Sequence, residues 1–303
     1  MAKVAFLFPG QGAQTIGMAG ALCEKLPAAK KLFDDAAGIL GFDLLKVCME
    51  GPAEKLNATD VSQPTLFVAG LAALESLKAE NPAVLNDVVA TAGLSLGEYT
   101  ALAFAGALSF EDGLRVVQVR GRAMQTAAVA TPSAMASVVG PDIAAVENLC
   151  AKAREKSNSV VQIANLLCPG NTVISGTHAG IDAAEAIGNE LGFRLIRLAV
   201  AGAFHTELMK PADQELAQAL ANVDIKAPIV PVWSNVDAHP HTDPGEIKDL
   251  LVRQVVSPVR MEESLRGLLA FGVEQFYELG PGKVLAGLLK RIDRKIPCTN
   301  VTA

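Results

Sequence analysis

The chain has 303 residues, half of them hydrophobic, with 26 Lys and Arg against 32 Asp and Glu for a net charge of −6. That length and apolar content suffice for one large domain, or a domain carrying a smaller inserted one, and exclude a disordered chain. The acidic balance argues against nucleic acid as a partner, and no run of about 20 apolar residues with clean flanks is present to span a membrane.

Residues 3–8 read as a buried strand that breaks at Pro9-Gly10, too short an apolar run for a signal peptide. A Gly-rich loop follows (Gly10-Gln11-Gly12), then helical patterns over 15–80, interrupted at Gly41, Gly51-Pro52 and Gln63-Pro64. An apolar strand over 88–93 runs into Gly93-x-Ser95-x-Gly97 and a helix over 98–105, with a second helix over 110–128. Between 131 and 200 the rhythm changes to strand 134–139, helix 143–156, strand 160–166, strand 172–175, helix 179–191 and strand 194–200. That βαββαβ order has the ferredoxin-like signature. The rest reads as helix 207–221, strand 230–234, a Pro-rich loop 237–244, helices 245–255 and 261–271, strand 275–279 and a last helix from 283. The fold expected is α/β: a hydrolase-like core with a mostly parallel sheet, built from 1–130 and 201–303, with a ferredoxin-like insertion at 131–200 and a ligand cleft between the two.

The strand-to-helix pattern around Ser95 is that of a nucleophile elbow, in which glycines on either side allow a sharp turn that exposes the hydroxyl. The N–H groups of the following helical turn point at negative charge developing beside it. A serine needs a base. Of the four histidines, His205 is the best placed, after a strand and a small-residue turn and opening a helix; a helix-start histidine bonded to backbone is the plainer alternative. His178 precedes a helix, and His239 and His241 form a His-Pro-His loop with no carboxylate cluster to suggest a metal. Five scattered cysteines without a C-x-x-C pair fit reduced thiols in a cytosol-like compartment and argue against structural zinc; Cys168 reads as a small buried residue.

Gly10-Gln11-Gly12 is not a dinucleotide fingerprint, since Thr15 stands where glycine is needed, and Gly282-Lys283 is followed by Val284 rather than Ser or Thr. The loop instead suits Gln11 as an N–H donor to an oxyanion near Ser95, with an ordinary tight turn as the alternative. Arg120 and Arg122 lie among apolar residues of one helix, where a guanidinium is costly to bury without an anion; an ion pair or a surface position is the alternative for each.

Taken together, Gly10-Gln11-Gly12, the Gly-Leu-Ser95-Leu-Gly-Glu segment, Val-Arg120-Gly-Arg, Gly-Ala-Phe204-His205-Thr, Arg-Gln254-Val-Val-Ser-Pro and Glu-Leu-Gly-Pro-Gly-Lys resemble, from end to end, the malonyl-CoA:acyl carrier protein transacylase family. The resemblance implies that Ser95 is acylated, that His205 is its base, and that Gln11 and the Leu96 N–H form the oxyanion hole. It also implies that Arg120, rather than Arg122, meets the malonyl carboxylate, and that the backbone carbonyl of Gln254 orients the histidine in a dyad with no third carboxylate. Phe204 looks malonyl-type, and Asn165 is expected near the acyl group. The chain departs from the family at Leu94, where many members carry histidine, and at Asn171, where the family has glutamine.

The implied partners are malonyl-CoA and holo acyl carrier protein, with no cofactor and no metal, and a monomer is expected. Carrier docking is expected at Lys290, Arg291, Arg294 and Lys295 along one side of the last helix. The reading fits bacterial cytoplasm, and a trimmed enzyme of the plastid stroma would look the same. The rival readings are a thioesterase-type serine hydrolase, for which Asp142, Asp182 or Glu185 would have to supply the acid, and a non-catalytic carrier-docking module.

Overall fold

The computed structural model describes residues 2–303. Strand β1 (Val4–Phe8) alternates its side chains between two cores, with Val4, Phe6 and Phe8 on one face and Ala5 and Leu7 on the other. A strand apolar on both faces belongs in a sheet covered on both sides, and helices supply the cover. The chain continues through α1 (Gly20–Lys25), α2 (Pro27–Leu40), α3 (Leu44–Glu50), α4 (Ala53–Asn57) and α5 (Thr59–Glu80) to β2 (Val88–Gly93), α6 (Gly97–Phe104) and α7 (Phe110–Ala130). Next come β3 (Ser133–Val139), α8 (Ile143–Ser157), β4 (Val161–Cys168), β5 (Asn171–Thr177), α9 (His178–Glu190) and β6 (Arg194–Arg197). The C-terminal third holds α10 (Lys210–Ala221), β7 (Val232–Trp233), β8 (Pro240–His241), α11 (Pro244–Gln254), β9 (Val259–Arg260), α12 (Met261–Ala270), β10 (Gln275–Leu279), α13 (Val284–Ile292) and β11 (Cys298–Val301).

The main sheet has the order β11-β10-β1-β2-β7-β8, parallel throughout except for the β7–β8 pair. The second sheet has the order β6-β3-β5-β4-β9, with α8 and α9 packed on one face. Its other face turns Met135, Ala164 and Val173 into the main core. The protein is therefore mixed α/β with two sheets.

Several expectations need correction. The helix expected to break at Gln63-Pro64 runs through it, since α5 spans Thr59–Glu80 with Pro64 inside. Proline in a helix interior costs about 3 kcal/mol, but α5 is buried on nearly all sides and its packing outweighs that propensity. The second sheet extends beyond the 131–200 segment, because β9, from outside it, pairs in parallel with β4. The strand expected over 194–200 ends at Arg197; the Leu198 N–H still donates to the Met135 carbonyl of β3, and Leu198 and Val200 line a cavity. His205 does not open a helix, for a short 3-10 turn at Glu207–Met209 intervenes before α10. The loop 237–244 contains β8, and β9 and β11 are too short, or too half-buried, to stand out in an apolar pattern.

Candidate active site

β1 and β2 lie side by side with Phe8 opposite Gly93, so the loops leaving their carboxyl ends meet. The turn after β2 is tight. A side chain on Gly93 would overlap the Gly97 backbone, and one on Gly97 would overlap the Phe8 carbonyl oxygen. Ser95 takes a left-handed backbone conformation, φ 51°, which L-residues adopt only under constraint from their surroundings. The turn delivers Ser95 to a cavity of about 120 Å³, also lined by Gln11, Leu94, Leu96, Arg120, Asn165, Phe204 and His205. Substrate pockets for drug-sized ligands run roughly 300–1,000 Å³, so this one has room for a small group only. Neither the Gln11 nor the Leu96 N–H donates to an acceptor among the described residues, leaving two amide donors free beside Ser95.

His205 Nε2 lies 2.8 Å from Ser95 Oγ, and its Nδ1 lies 2.8 Å from the backbone oxygen of Gln254. Gln254 ends α11, where the last carbonyls have no intrahelical partner, and its oxygen accepts the Nδ1 proton alongside a longer 3.4 Å bond from the Ser257 N–H. That contact fixes the tautomer with Nε2 facing the serine, and the negative end of the helix dipole favours the imidazolium when it forms. In the resting site, burial and then the charge of Arg120 push the His205 pKa down to about 4, so the ring is a neutral base at neutral pH. His205 also has positive φ, 60°, a second strained residue at the site.

Arg120 is 1% exposed on α7. Its guanidinium donates to Ser95 Oγ at 3.0 Å, Gln254 Oε1 at 2.9 Å and Gln63 Oε1 at 2.7 Å, and stacks 5.2 Å from the Tyr99 ring centroid. Among the described residues no carboxylate touches it, and its Nε has no partner. A buried guanidinium without an anion in contact is poised to take one. Arg122, by contrast, faces solvent near Glu215, 3.8 Å away.

The sequence reading missed three side chains. Gln63 holds Arg120, and its position inside α5 concealed it behind an apparent helix break. Asn235, after β7, accepts from the Ser95 N–H at 2.6 Å and donates to the Gly93 carbonyl at 2.7 Å, clamping the elbow from both sides. Glu98, 3% exposed in the first turn of α6, accepts from the Asn235 N–H at 3.0 Å and from Gln254 Nε2 at 2.6 Å. Burial pushes the Glu98 pKa up to about 7 against the lowering pull of these donors and of Arg120. Glu98 stands within the elbow segment itself, but only the fold reveals that it turns inward.

Other candidates fall away from the site. Asp142 caps α8, and Asp182 and Glu185 bind Arg197, so none of the three approaches His205, whose Nδ1 faces a carbonyl. His241 does have carboxylate neighbours, Asp237 at 3.0 Å and Glu246 at 3.2 Å, which the sequence did not suggest. His239 turns instead to the Asp237 carbonyl, and among the described residues no cluster is arranged to hold a metal. Asn171 accepts from Ser137 Oγ at 2.7 Å in the second sheet, and burial raises the pKa of the Cys168 thiol. Of the basic residues at the C-terminus, only Lys290 and Arg291 lie on α13, which stops at Ile292; Arg294 and Lys295 follow it, and Arg291 donates to the Pro169 carbonyl. Among the described residues no helix is long and apolar enough to cross a membrane.

A strained serine facing a buried histidine at the carboxyl edge of a parallel sheet defines an acyl-group enzyme. The chain belongs to the acyl transferase domain family, whose model matches residues 5–296, and its relatives include malonyl-CoA–acyl carrier protein transacylases. It is 48% identical to the Bacillus subtilis protein of that name over 297 residues, covering 98% of this chain and 92% of the relative. An acyl-carrier-protein S-malonyltransferase structure from Burkholderia pseudomallei superposes with a TM-score of 0.93 at 41% identity, over 99% of this chain and 96% of that one. A malonyl-transacylase solved in complex with its type II PKS acyl-carrier protein matches with a TM-score of 0.93 at 35% identity, over 99% and 96% of the two chains.

Proposed function

We propose that this protein transfers the malonyl group of malonyl-CoA to the phosphopantetheine thiol of an acyl carrier protein, supplying malonyl carrier for fatty acid synthesis. The observation that carries the reading is the convergence of His205 and an anion-free Arg120 on one hydroxyl, Ser95 Oγ. Ser95 Oγ attacks the thioester carbonyl while its proton passes to His205 Nε2. The Gln11 and Leu96 N–H groups take the oxyanion, a contribution of about 3–4 kcal/mol per donor. Collapse expels the CoA thiolate, which takes the proton from His205 and leaves malonyl-serine. In the second half, the carrier thiol gives its proton to His205 and attacks the ester. The tetrahedral adduct then collapses to malonyl carrier, and the proton returns to Ser95. Arg120 holds the malonyl carboxylate, with Phe204 and Asn165 bounding the acyl group. No resident cofactor is required.

The thioester arm enters along a groove of about 410 Å³ that shares His205 with the acyl cavity and is lined by Arg154, Gln162, Val256 and Pro258. The carrier docks through Lys290 and Arg291, with Arg294 and Lys295 extending the basic patch beyond the helix. We read 1–130 and 201–303 as an α/β-hydrolase-like catalytic unit and 131–200 as a ferredoxin-like insertion; the β6-β3-β5-β4 order and the two helices on one face support this. The enzyme is read as a monomer of the bacterial cytoplasm.

Intact-mass measurement after mixing with malonyl-CoA and then holo carrier protein tests the reaction. One malonyl adduct is expected, discharged onto the carrier and absent from Ser95→Ala. A labelled Ser95→Ala protein would remove Ser95 as the nucleophile, and loss of the adduct to water without carrier loading would indicate a hydrolase.

A further inference from the structure

Arg120 is a buried cation whose immediate partners, Gln63, Gln254 and Ser95, are all neutral. Such a charge is costly unless an anion compensates it at short range. Glu98 is that anion, one side chain removed. The Gln254 amide stands between the two, its Nε2 donating to Glu98 and its Oε1 accepting from Arg120. An amide held this way is polarised along its length, so each ionic end strengthens the other's hydrogen bond. Nε2 also donates to the Ser95 carbonyl at 3.0 Å, so that all the nearby acceptors lie on one end of the amide and its orientation is fixed. The same Glu98 oxygen takes the Asn235 N–H, and Asn235 in turn clamps the strained Ser95 backbone.

We infer that Glu98 is a positioning residue for acyl transfer: its carboxylate balances Arg120 through the Gln254 amide and holds the Ser95 elbow through Asn235. The inference rests on the malonyl-transfer reading and names a residue for which that reading has no role. Glu98 touches no substrate atom and acts through its neighbours. The charged groups facing it are Arg120 from α7 and Asp237 from the segment after β7, with the neutral Tyr99 beside it on α6. Protonation leaves its two hydrogen bonds possible on the unprotonated oxygen but removes the counter-charge.

The test is single-turnover malonylation of Ser95 by malonyl-CoA, followed by intact mass across the pH range, for the wild type, Glu98→Gln and Glu98→Asp. Glu98→Gln keeps the acceptor and deletes the charge. Its plateau rate is expected to fall roughly 10- to 100-fold, the scale of a lost charge-assisted partner. The wild-type rate is expected to rise through an acidic limb near neutrality, where Glu98 ionises, and that limb should be missing from Glu98→Gln. Glu98→Asp, still ionisable but with a shorter arm, should restore a limb at a shifted midpoint. A Glu98→Gln enzyme within twofold of wild type, or with an unmoved limb, would overturn the inference. Were Glu98→Gln not to fold, an unmoved limb in Glu98→Asp would overturn it equally. A wild-type protein that takes no malonyl group would instead defeat the functional reading, so the two failures are distinguishable.

Discussion

If Arg120 reads the acyl carboxylate as proposed, replacing it with alanine separates that recognition from the proposed chemistry at Ser95. The wild-type guanidinium is fully desolvated and fixed by three hydrogen bonds and the Tyr99 ring, so it meets a carboxylate with little further ordering. A charge-assisted contact in such a site is worth about 1.5–3 kcal/mol. At 1.36 kcal/mol per tenfold, Arg120→Ala should slow acylation by malonyl-CoA about 10- to 150-fold. Acetyl-CoA has no carboxylate, so its rate should change only a few-fold, and the selectivity ratio should collapse by nearly the whole factor. The substitution also strands Gln63 Oε1 and Gln254 Oε1, which lowers stability. That loss affects both substrates alike, which is why the ratio is the quantity to measure. A second readout comes from His205. Arg120 helps hold its pKa down, so removing the charge should move the imidazole limb upward from about 4. Parallel stopped-quench acylation with the two thioesters across pH provides both. Equal losses for malonyl and acetyl would refute the assignment of Arg120 as the carboxylate reader.

Glu98 makes a stability prediction of unusual sign. Its folded pKa is raised from 4.5 to about 7, because the cost of burying the carboxylate is offset only in part by the attraction of Arg120; the stability of the neutral form is complete below the unfolded value and is lost as pH rises through that window. The shift corresponds to about 3 kcal/mol, so Glu98→Gln should melt higher than wild type on the alkaline side, with the difference vanishing in acid. A constant difference across pH in calorimetry would contradict it. Gly97→Ala should abolish soluble enzyme or its activity, because the new methyl group would overlap the Phe8 carbonyl; normal expression and acylation would show that the elbow is looser than described. Charge reversal at Lys290 and Arg291 should raise KM for carrier protein and leave that for malonyl-CoA unchanged, and steady-state kinetics with each substrate varied will show whether it does.

What was legible in the sequence followed from local constraints. Glycine spacing around Ser95 announced the elbow because only residues without Cβ atoms allow that turn, and the mostly parallel sheet was visible as short apolar runs alternating with helical patterns. The separation of Arg120 from Arg122 came from resemblance to a family, and burial then placed them on opposite faces of α7, one at the cavity and one in solvent. Other features needed the fold. Pro64 looked like a helix end because propensity is local, whereas the burial that overrides it is contributed by other segments. β9 and β11 gained strand character only from the neighbours they pair with. Gln63, Glu98 and Asn235 carry no spacing signal: the bond of Gln63 to Arg120, those of Asn235 to Ser95 and Gly93, and those of Glu98 to Asn235 and Gln254 span from 57 to 156 positions of chain. The proposed reacting groups thus sat in short motifs that the sequence displayed. The hydrogen bonds that hold those groups in strained conformations join distant segments, and only the tertiary structure decided them.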